Sequence, residues 1–319
     1  MVRAHEVLRA RPDLTDTLRD VDGVFAIRIT RSFWDRLDPT DPADPLGLQV
    51  MPDPRELEAH PQDEPDPVGD AACSPVPWVV HKYPNRVLLL ATKRCHLHCR
   101  YCFRRNHHPS AALDPTPEEW AMALDYVRNA GVEEVILSGG DPLMLTDRQL
   151  DDTLSALSNV PVRRIHTRAP ITYPQRVTQG FVDLLRRHGP LWVIVHCNHP
   201  RELSHDVDDA LARMVDAGVP VLNQAVLLRG VNADVETLTE LCRAMLRRRV
   251  RPYYLHVTDR AAGNAHLRVS TEEARQLEEA LAPRLSGLSR PRFVLDPPAG
   301  TGKIDISHAA ACGKNPGSS

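Results

Sequence analysis

From Arg86 onward the chain alternates short runs of leucine and β-branched residues with longer stretches whose apolar positions recur every three to four residues. The short runs fall at 87–91, 132–137, 162–166, 191–196, 219–227 and 253–257, and they read as strands of a buried sheet. The stretches at 118–129, 147–157, 175–188, 207–217 and 235–249 read as helices. The last of these puts Leu238, Leu241, Cys242, Met245 and Leu246 on one stripe, the face of a helix laid on a sheet. Regular strand–helix alternation predicts βαβ units and a parallel sheet. Six such units predict an α/β fold, a partial (β/α)6 barrel; a doubly wound open sheet shares the same alternation.

The first eighty residues break this rhythm. Helical pattern is confined to 2–9, 13–19 and 33–37, and positions 51–70 carry Pro52, Pro54, Pro61, Pro65 and Pro67 among many acids. Proline blocks helix and charge opposes collapse, so this segment is expected to be an extended, solvated connection. The organisation expected is an N-terminal helical region with its linker (1–80), the barrel (81–260) and a short C-terminal segment (261–319). The end from His308 is small and polar and is expected to fray.

Composition changes the picture only at one point. The chain has 319 residues and 42 acidic against 39 basic side chains, a net charge of −3. That balance argues against a dedicated nucleic-acid binder. No run approaches the roughly 18 apolar residues of a membrane span, and the N-terminus lacks the apolar core of a signal peptide. A cytoplasmic protein with reduced thiols is expected. The basic run Arg247-Arg248-Arg249-Val250-Arg251 reads as a solvated helix end. The seven cysteines are the informative feature: Cys95, Cys99 and Cys102 fall within eight residues, while Cys73, Cys197, Cys242 and Cys312 are scattered. An odd count with one tight group points to a metal site, not a disulfide framework.

The spacing Cys95-x3-Cys99-x2-Cys102 follows the first barrel strand, where the loops of (β/α) barrels carry chemistry. Three thiolates could hold three irons of a cubane cluster and leave one iron open. Structural zinc is the alternative, with His96, His98, His107 or His108 as fourth ligand. A second loop, Ser138-Gly139-Gly140-Asp141-Pro142, ends the next strand. Its glycines allow close backbone approach by a ligand, and Asp141 could accept from an ammonium group. A plain βα turn accounts for the same residues.

Together these loops resemble the radical S-adenosylmethionine enzymes, in which a three-cysteine loop with an aromatic before its last cysteine (here Tyr101) binds a [4Fe–4S] cluster. The resemblance implies that the open iron chelates S-adenosylmethionine and that the second loop, Ser138 to Asp141, helps hold its ammonium. Longer matches narrow it to the lysine 2,3-aminomutase family: His81-Lys82-Tyr83-Pro84-Asn85-Arg86, Cys102-Phe103-Arg104-Arg105, Asn198-His199-Pro200, Asn223-Gln224-Ala225-Val226-Leu227-Leu228-Arg229-Gly230 and Arg251-Pro252-Tyr253-Tyr254.

That family also uses pyridoxal 5′-phosphate on a lysine after a glycine-rich turn, which implies Lys303 in Pro298-Ala299-Gly300-Thr301-Gly302-Lys303. A nucleotide P-loop does not fit these residues, since Pro297 stands at its first glycine and Ile304 at its Ser/Thr. The match implies that Lys82, Tyr83 and Arg86 hold the cofactor phosphate, that Arg104 takes the substrate carboxylate, and that Asp259 and Asp296 grip a terminal ammonium. Two carboxylates at the end of a pocket select a cationic side chain. The implied activity is an isomerase, a 2,3-aminomutase moving the α-amino group of an amino acid to its β-carbon.

The chain departs from the family where His256 and Cys197 replace aromatics of the lysine enzyme, and no later cysteine cluster follows Lys303. Residues 41–46 are similar to a compact branch that makes β-lysine for elongation factor P, yet Asp296 is kept. L-lysine is the expected substrate, with arginine or another cationic amino acid as the alternative; a non-catalytic zinc-binding protein is the alternative of another class. The partners expected are the amino acid and a flavodoxin or ferredoxin as electron donor, with no nucleic acid and no membrane; a homodimer is compatible with the chain.

Overall fold

The computed structural model describes residues 1–22, 25–105, 112–298 and 302–309. Nine strands form one sheet in chain order: β1 (Val79–Tyr83), β2 (Arg86–Thr92), β3 (Glu134–Gly139), β4 (Val162–Thr167), β5 (Leu191–His196), β6 (Val221–Leu227), β7 (Arg251–Val257), β8 (Arg292–Leu295) and β9 (Ile304–Asp305). Strands β2 to β8 are parallel, while β1 and β9 run antiparallel to their neighbours. The expected six strands are β2 to β7. The seventh parallel strand, β8, is four residues long and enclosed by prolines, too short and too interrupted to show a strand pattern.

The helices are α1 (Ala4–Ala10), α2 (Thr15–Asp22) and α3 (Arg31–Trp34) in the N-terminal region; α4 (Pro117–Asn129), α5 (Asp147–Ala156), α6 (Ala169–Thr172), α7 (Gln179–Arg187), α8 (His205–Asp216), α9 (Val235–Arg247) and α10 (Thr271–Leu281) around the sheet; and α11 (Ile306–Ala309) at the end. Their starts follow from capping chemistry. Thr116, Thr146 and Ser270 accept from the third backbone N–H of α4, α5 and α10, and the third side chain (Glu119, Gln149, Glu273) returns the bond. Asp234 and Thr178 cap α9 and α7 in the same sense.

The core lies between the helices and one face of the sheet. Val87, Leu89 and Ala91 of β2, Val135 and Leu137 of β3, Val193 and Val195 of β5 and Leu255 and Val257 of β7 pack there against Leu150, Leu154, Leu211, Met214, Leu241 and Met245. On the alternate positions Arg164, His166, His196, Gln224, Tyr254 and His256 are half-buried on the other face. A period of two thus separates an apolar exterior layer from a polar interior.

The segment 51–70 departs from expectation. It is a strap packed on the barrel mouth, not a solvated linker. Glu56 is buried and ion-paired with two buried arginines, Arg100 and Arg105. Asp63 pairs with Arg268, the Glu64 N–H donates to the Arg260 carbonyl at 2.8 Å, and Asp70 pairs with Arg104 at 2.6 Å. Three of the acids that read as solvating charge, Glu56, Asp63 and Asp70, are matched by arginines elsewhere in the chain, while Asp53 pairs with Arg55 and Asp66 accepts from the Asp70 and Ala71 N–H groups. The N-terminal helices form a second apolar cluster of Val7, Leu14, Ile29, Phe33 and Leu46, joined by Leu97 from the cysteine loop. In the basic run, Arg247, Arg248 and Arg249 pair with Glu240, Asp208 and Asp216. Among the described residues no helix is long and apolar enough to cross a membrane.

Candidate active site

The C-terminal end of each parallel strand delivers a chemistry-bearing group to one rim: the cysteine loop after β2, Gly140 and Asp141 after β3, Arg168 after β4, Asn198 after β5, Asn232 after β6, Asp259 after β7 and Asp296 after β8.

The cysteine loop is fixed from two sides. The N–H groups of His98 and Arg100 donate to the Arg28 and Gln49 carbonyls at 2.9 and 2.8 Å, docking the loop on the N-terminal region. On the other side the N–H groups of Gly140 and Asp141 donate to the Thr92 and Arg94 carbonyls at 2.6 and 2.8 Å. A Cβ at Gly139 would lie 2.3 Å from the Thr92 oxygen, and one at Gly140 2.2 Å from that of Arg94. The glycines therefore admit the neighbouring loop, where ligand approach was expected of them. The Asp141 carboxylate is equally committed: Oδ1 accepts from the Leu143 N–H and the Thr167 hydroxyl, and Oδ2 from the Arg168 and Ala169 N–H groups, at 2.7 to 3.0 Å. Four donors thus occupy the carboxylate, and in this structure it holds its own loop and the start of α6 in place.

Burial and mutual repulsion push up the Cys95 thiol, with Cys102 its largest charged neighbour; the Cys102 thiol is pushed up to about 11 by burial and by Cys99. Three thiols sharing one field ask for a cation to hold them as thiolates. A single zinc would need four ligands about 2.0–2.3 Å from one point. Among the described residues no three His, Cys, Asp or Glu side chains are gathered in that way. His96 Nε2 faces the Leu143 carbonyl at 3.2 Å and His98 Nδ1 that of Ala26 at 2.7 Å, turned to backbone oxygens. His107 and His108 lie outside the described residues, as does Cys312. A cubane, whose thiolates each take a different iron, suits this donor set.

Asp296 is the hub of the second half of the site. Its Oδ1 accepts from Lys82 Nζ and its Oδ2 from Lys303 Nζ, both at 2.7 Å, and these two ammonium groups hold its carboxyl below the usual range against the opposing effect of burial. Lys82 also donates to the Val68 and Pro297 carbonyls at 2.9 Å each. All three of its donors are in use, by Asp296 and these two carbonyls. Arg86 lies flat on Tyr83, 3.5 Å from the ring centroid. Asp259 is buried near Asp296, and both effects push its carboxyl up to about 7. Arg104 and Lys303 are among the charges that act on it in the opposite sense. Arg104, Asp296 and Lys303 thus lie within electrostatic reach of Asp259. Close by, burial holds His166 and His196 neutral and brings His256 down to about 3. Sequence reasoning did not single out Asp70, Arg168 or His166; only the position of Arg168 at a strand end could have signalled it.

Residues 89–242 match the model of the radical SAM superfamily. The chain is 39% identical to the L-lysine 2,3-aminomutase of Clostridium subterminale over 87% of its own length and 68% of that protein. It is 41% identical to the L-lysine 2,3-aminomutase of Escherichia coli K12, over 86% of this chain and 81% of the relative. That of Buchnera aphidicola is 34% identical over 90% and 86%. Similarity of this extent, carried by a radical SAM barrel with its three-cysteine loop in place, makes the chain a member of the lysine 2,3-aminomutase family of radical SAM isomerases.

Proposed function

We propose that this isomerase converts L-lysine to β-lysine, with a [4Fe–4S] cluster on Cys95, Cys99 and Cys102, S-adenosylmethionine against the Ser138–Gly140 backbone, and pyridoxal phosphate on Lys303. The observation that carries the reading is the Asp296 carboxylate, which holds two ammonium groups at 2.7 Å. That geometry is what a lysine ε-ammonium requires. When Lys303 turns to the cofactor, the Oδ2 it held is open to the incoming substrate. Asp259 adds a second carboxylate; its raised pKa is the mark of an acid waiting for a cation in a dry pocket. Arg104 offers a planar fork to the substrate carboxylate. Arg86, stacked on Tyr83, is assigned to the phosphate.

When bound, the cluster and S-adenosylmethionine supply a hydrogen-abstracting radical, and pyridoxal phosphate supplies the group on which the amino nitrogen migrates. The protein aligns the substrate by its two charged ends and keeps water out with the strap and the neutral histidines.

The test is an anaerobic assay of the reconstituted enzyme on lysine, arginine and glutamate, with products identified by mass spectrometry. β-Lysine is the expected product, and Asp296→Ala should lose at least about 100-fold in kcat/KM for lysine. A β-amino acid formed from arginine but not lysine would overturn the substrate assignment. Full activity in Lys303→Ala would overturn the role of that lysine.

A further inference from the structure

Arg168 directly follows β4 and is buried, 8% exposed. Its Nη1 donates to Cys99 Sγ at 2.8 Å. Its Nη2 donates to Gln49 Oε1 at 2.6 Å and to Glu202 Oε2 at 3.1 Å. These acceptors are themselves fully buried and held. Glu202 Oε1 accepts from the N–H groups of Asn198 and His199 at 2.9 and 3.0 Å, and from Gln49 Nε2 at 3.1 Å. Asn198 Nδ2 donates to Gln49 Oε1 at 3.0 Å. The N-terminal region, the β4 end and the β5 loop thus combine to press one edge of one guanidinium against one thiol.

We infer that Arg168 is a positioning residue that orients Cys99 and raises the reduction potential of the cluster through a charge-assisted N–H···S hydrogen bond. The inference rests on the reading of the three cysteines as cluster ligands. One electron entering the cluster adds one negative charge, and a buried N–H donor on a ligand sulfur stabilises that reduced form more than the oxidised one. Glu202 offsets part of the positive charge. Yet it bonds the far edge of the fork, so the group's positive end faces the sulfur. In a low-dielectric setting such a fixed dipole acts strongly.

The experiment uses the full chain reconstituted anaerobically, as wild type and as Arg168→Met, Arg168→Lys and Gln49→Leu. Iron and sulfide are counted first, and the midpoint potential is then read by EPR-monitored titration without S-adenosylmethionine. Arg168→Met is expected to make reduction at least tenfold less favourable, a fall of about 59 mV for a one-electron couple. Arg168→Lys and Gln49→Leu should shift it in the same direction by less. An Arg168→Met protein that folds with the wild-type Tm but takes up no iron also supports the assignment, because a guanidinium that merely packs would not govern loading. A fully loaded Arg168→Met with the wild-type potential overturns it, including when only the affinity for S-adenosylmethionine falls. If Arg168→Met does not fold, wild-type potentials in both other variants overturn it. A wild-type chain that binds no iron defeats the cluster reading itself.

Discussion

Tyr83 and Lys303, 220 positions apart, are joined by a hydrogen bond of 2.7 Å from the Lys303 backbone N–H to the Tyr83 hydroxyl. Gly302 makes the contact possible: it adopts φ of +108°, and a Cβ there would sit 2.0 Å from the Tyr83 ring. Gly302→Ala should therefore push the ring aside and swing Lys303 from Asp296. A displacement of about 1 Å at a reacting group can cost on the order of 100-fold. A loss of that size in kcat, with iron content unchanged, is the expected outcome of a steady-state assay on the loaded variant.

Glu56 sits between Arg100 and Arg105, all three side chains at most 1% exposed. Replacing it by Gln removes the buried carboxylate that both guanidinium groups share. Breaking a buried pair in this way costs about 3–5 kcal/mol. Chemical denaturation should show a loss of that size for Glu56→Gln, accompanied by loosening of the cysteine loop that Arg100 anchors.

Burial of Asp259 near Asp296 has a consequence for pH. With its folded pKa raised to about 7 from 3.8, the folded protein holds a proton that the unfolded chain has released, so this group's contribution to stability falls as pH rises from about 4 to 7. Asp259→Asn removes that dependence and should gain about 1–3 kcal/mol over wild type at pH 8, less below pH 4. Binding has the opposite sign: affinity for a cationic substrate should rise through pH 7 in the wild type and stay flat in the variant. Calorimetry at several pH values reads the first, and KM against pH the second.

In the function proposed above Arg104 takes the substrate carboxylate, and Asp70 of the strap, 2.6 Å from its guanidinium, would then compete for it. Asp70→Asn weakens the competitor while keeping its shape. It should lower KM for the amino acid a few-fold, in line with about 0.5–1 kcal/mol for a partly exposed pair, and leave kcat little changed.

Much of this architecture could be read from the chain because its elements are built from local pattern. The apolar runs of β2 to β7 and the stripe of α9 need no distant partner to be recognised, and Cys95, Cys99 and Cys102 declare themselves by spacing. The strap could not be read in this way. Glu56 looks like surface charge until Arg100, 44 positions on, is brought against it. Gln49 and Glu202, 153 positions apart, have meaning only as the pair that holds Arg168. The lysines posed a different difficulty. Family resemblance brings Lys82, Tyr83 and Lys303 together as candidates, but which ammonium is already satisfied depends on carbonyls of Val68 and Pro297 that no pattern announces.

The strict neighbour order of the sheet bears on how the molecule is made. Each strand from β1 to β9 pairs with the one just synthesised, so the barrel can grow as the chain leaves the ribosome, without waiting for distant segments. The cysteine loop and its β3 clasp are complete early. Asp296 and Lys303 arrive last, and with them the contacts to Tyr83 and Lys82. On the roles proposed above, a nascent chain would be able to receive metal at Cys95, Cys99 and Cys102 well before it could receive an organic cofactor at Lys303 or a substrate at Asp296.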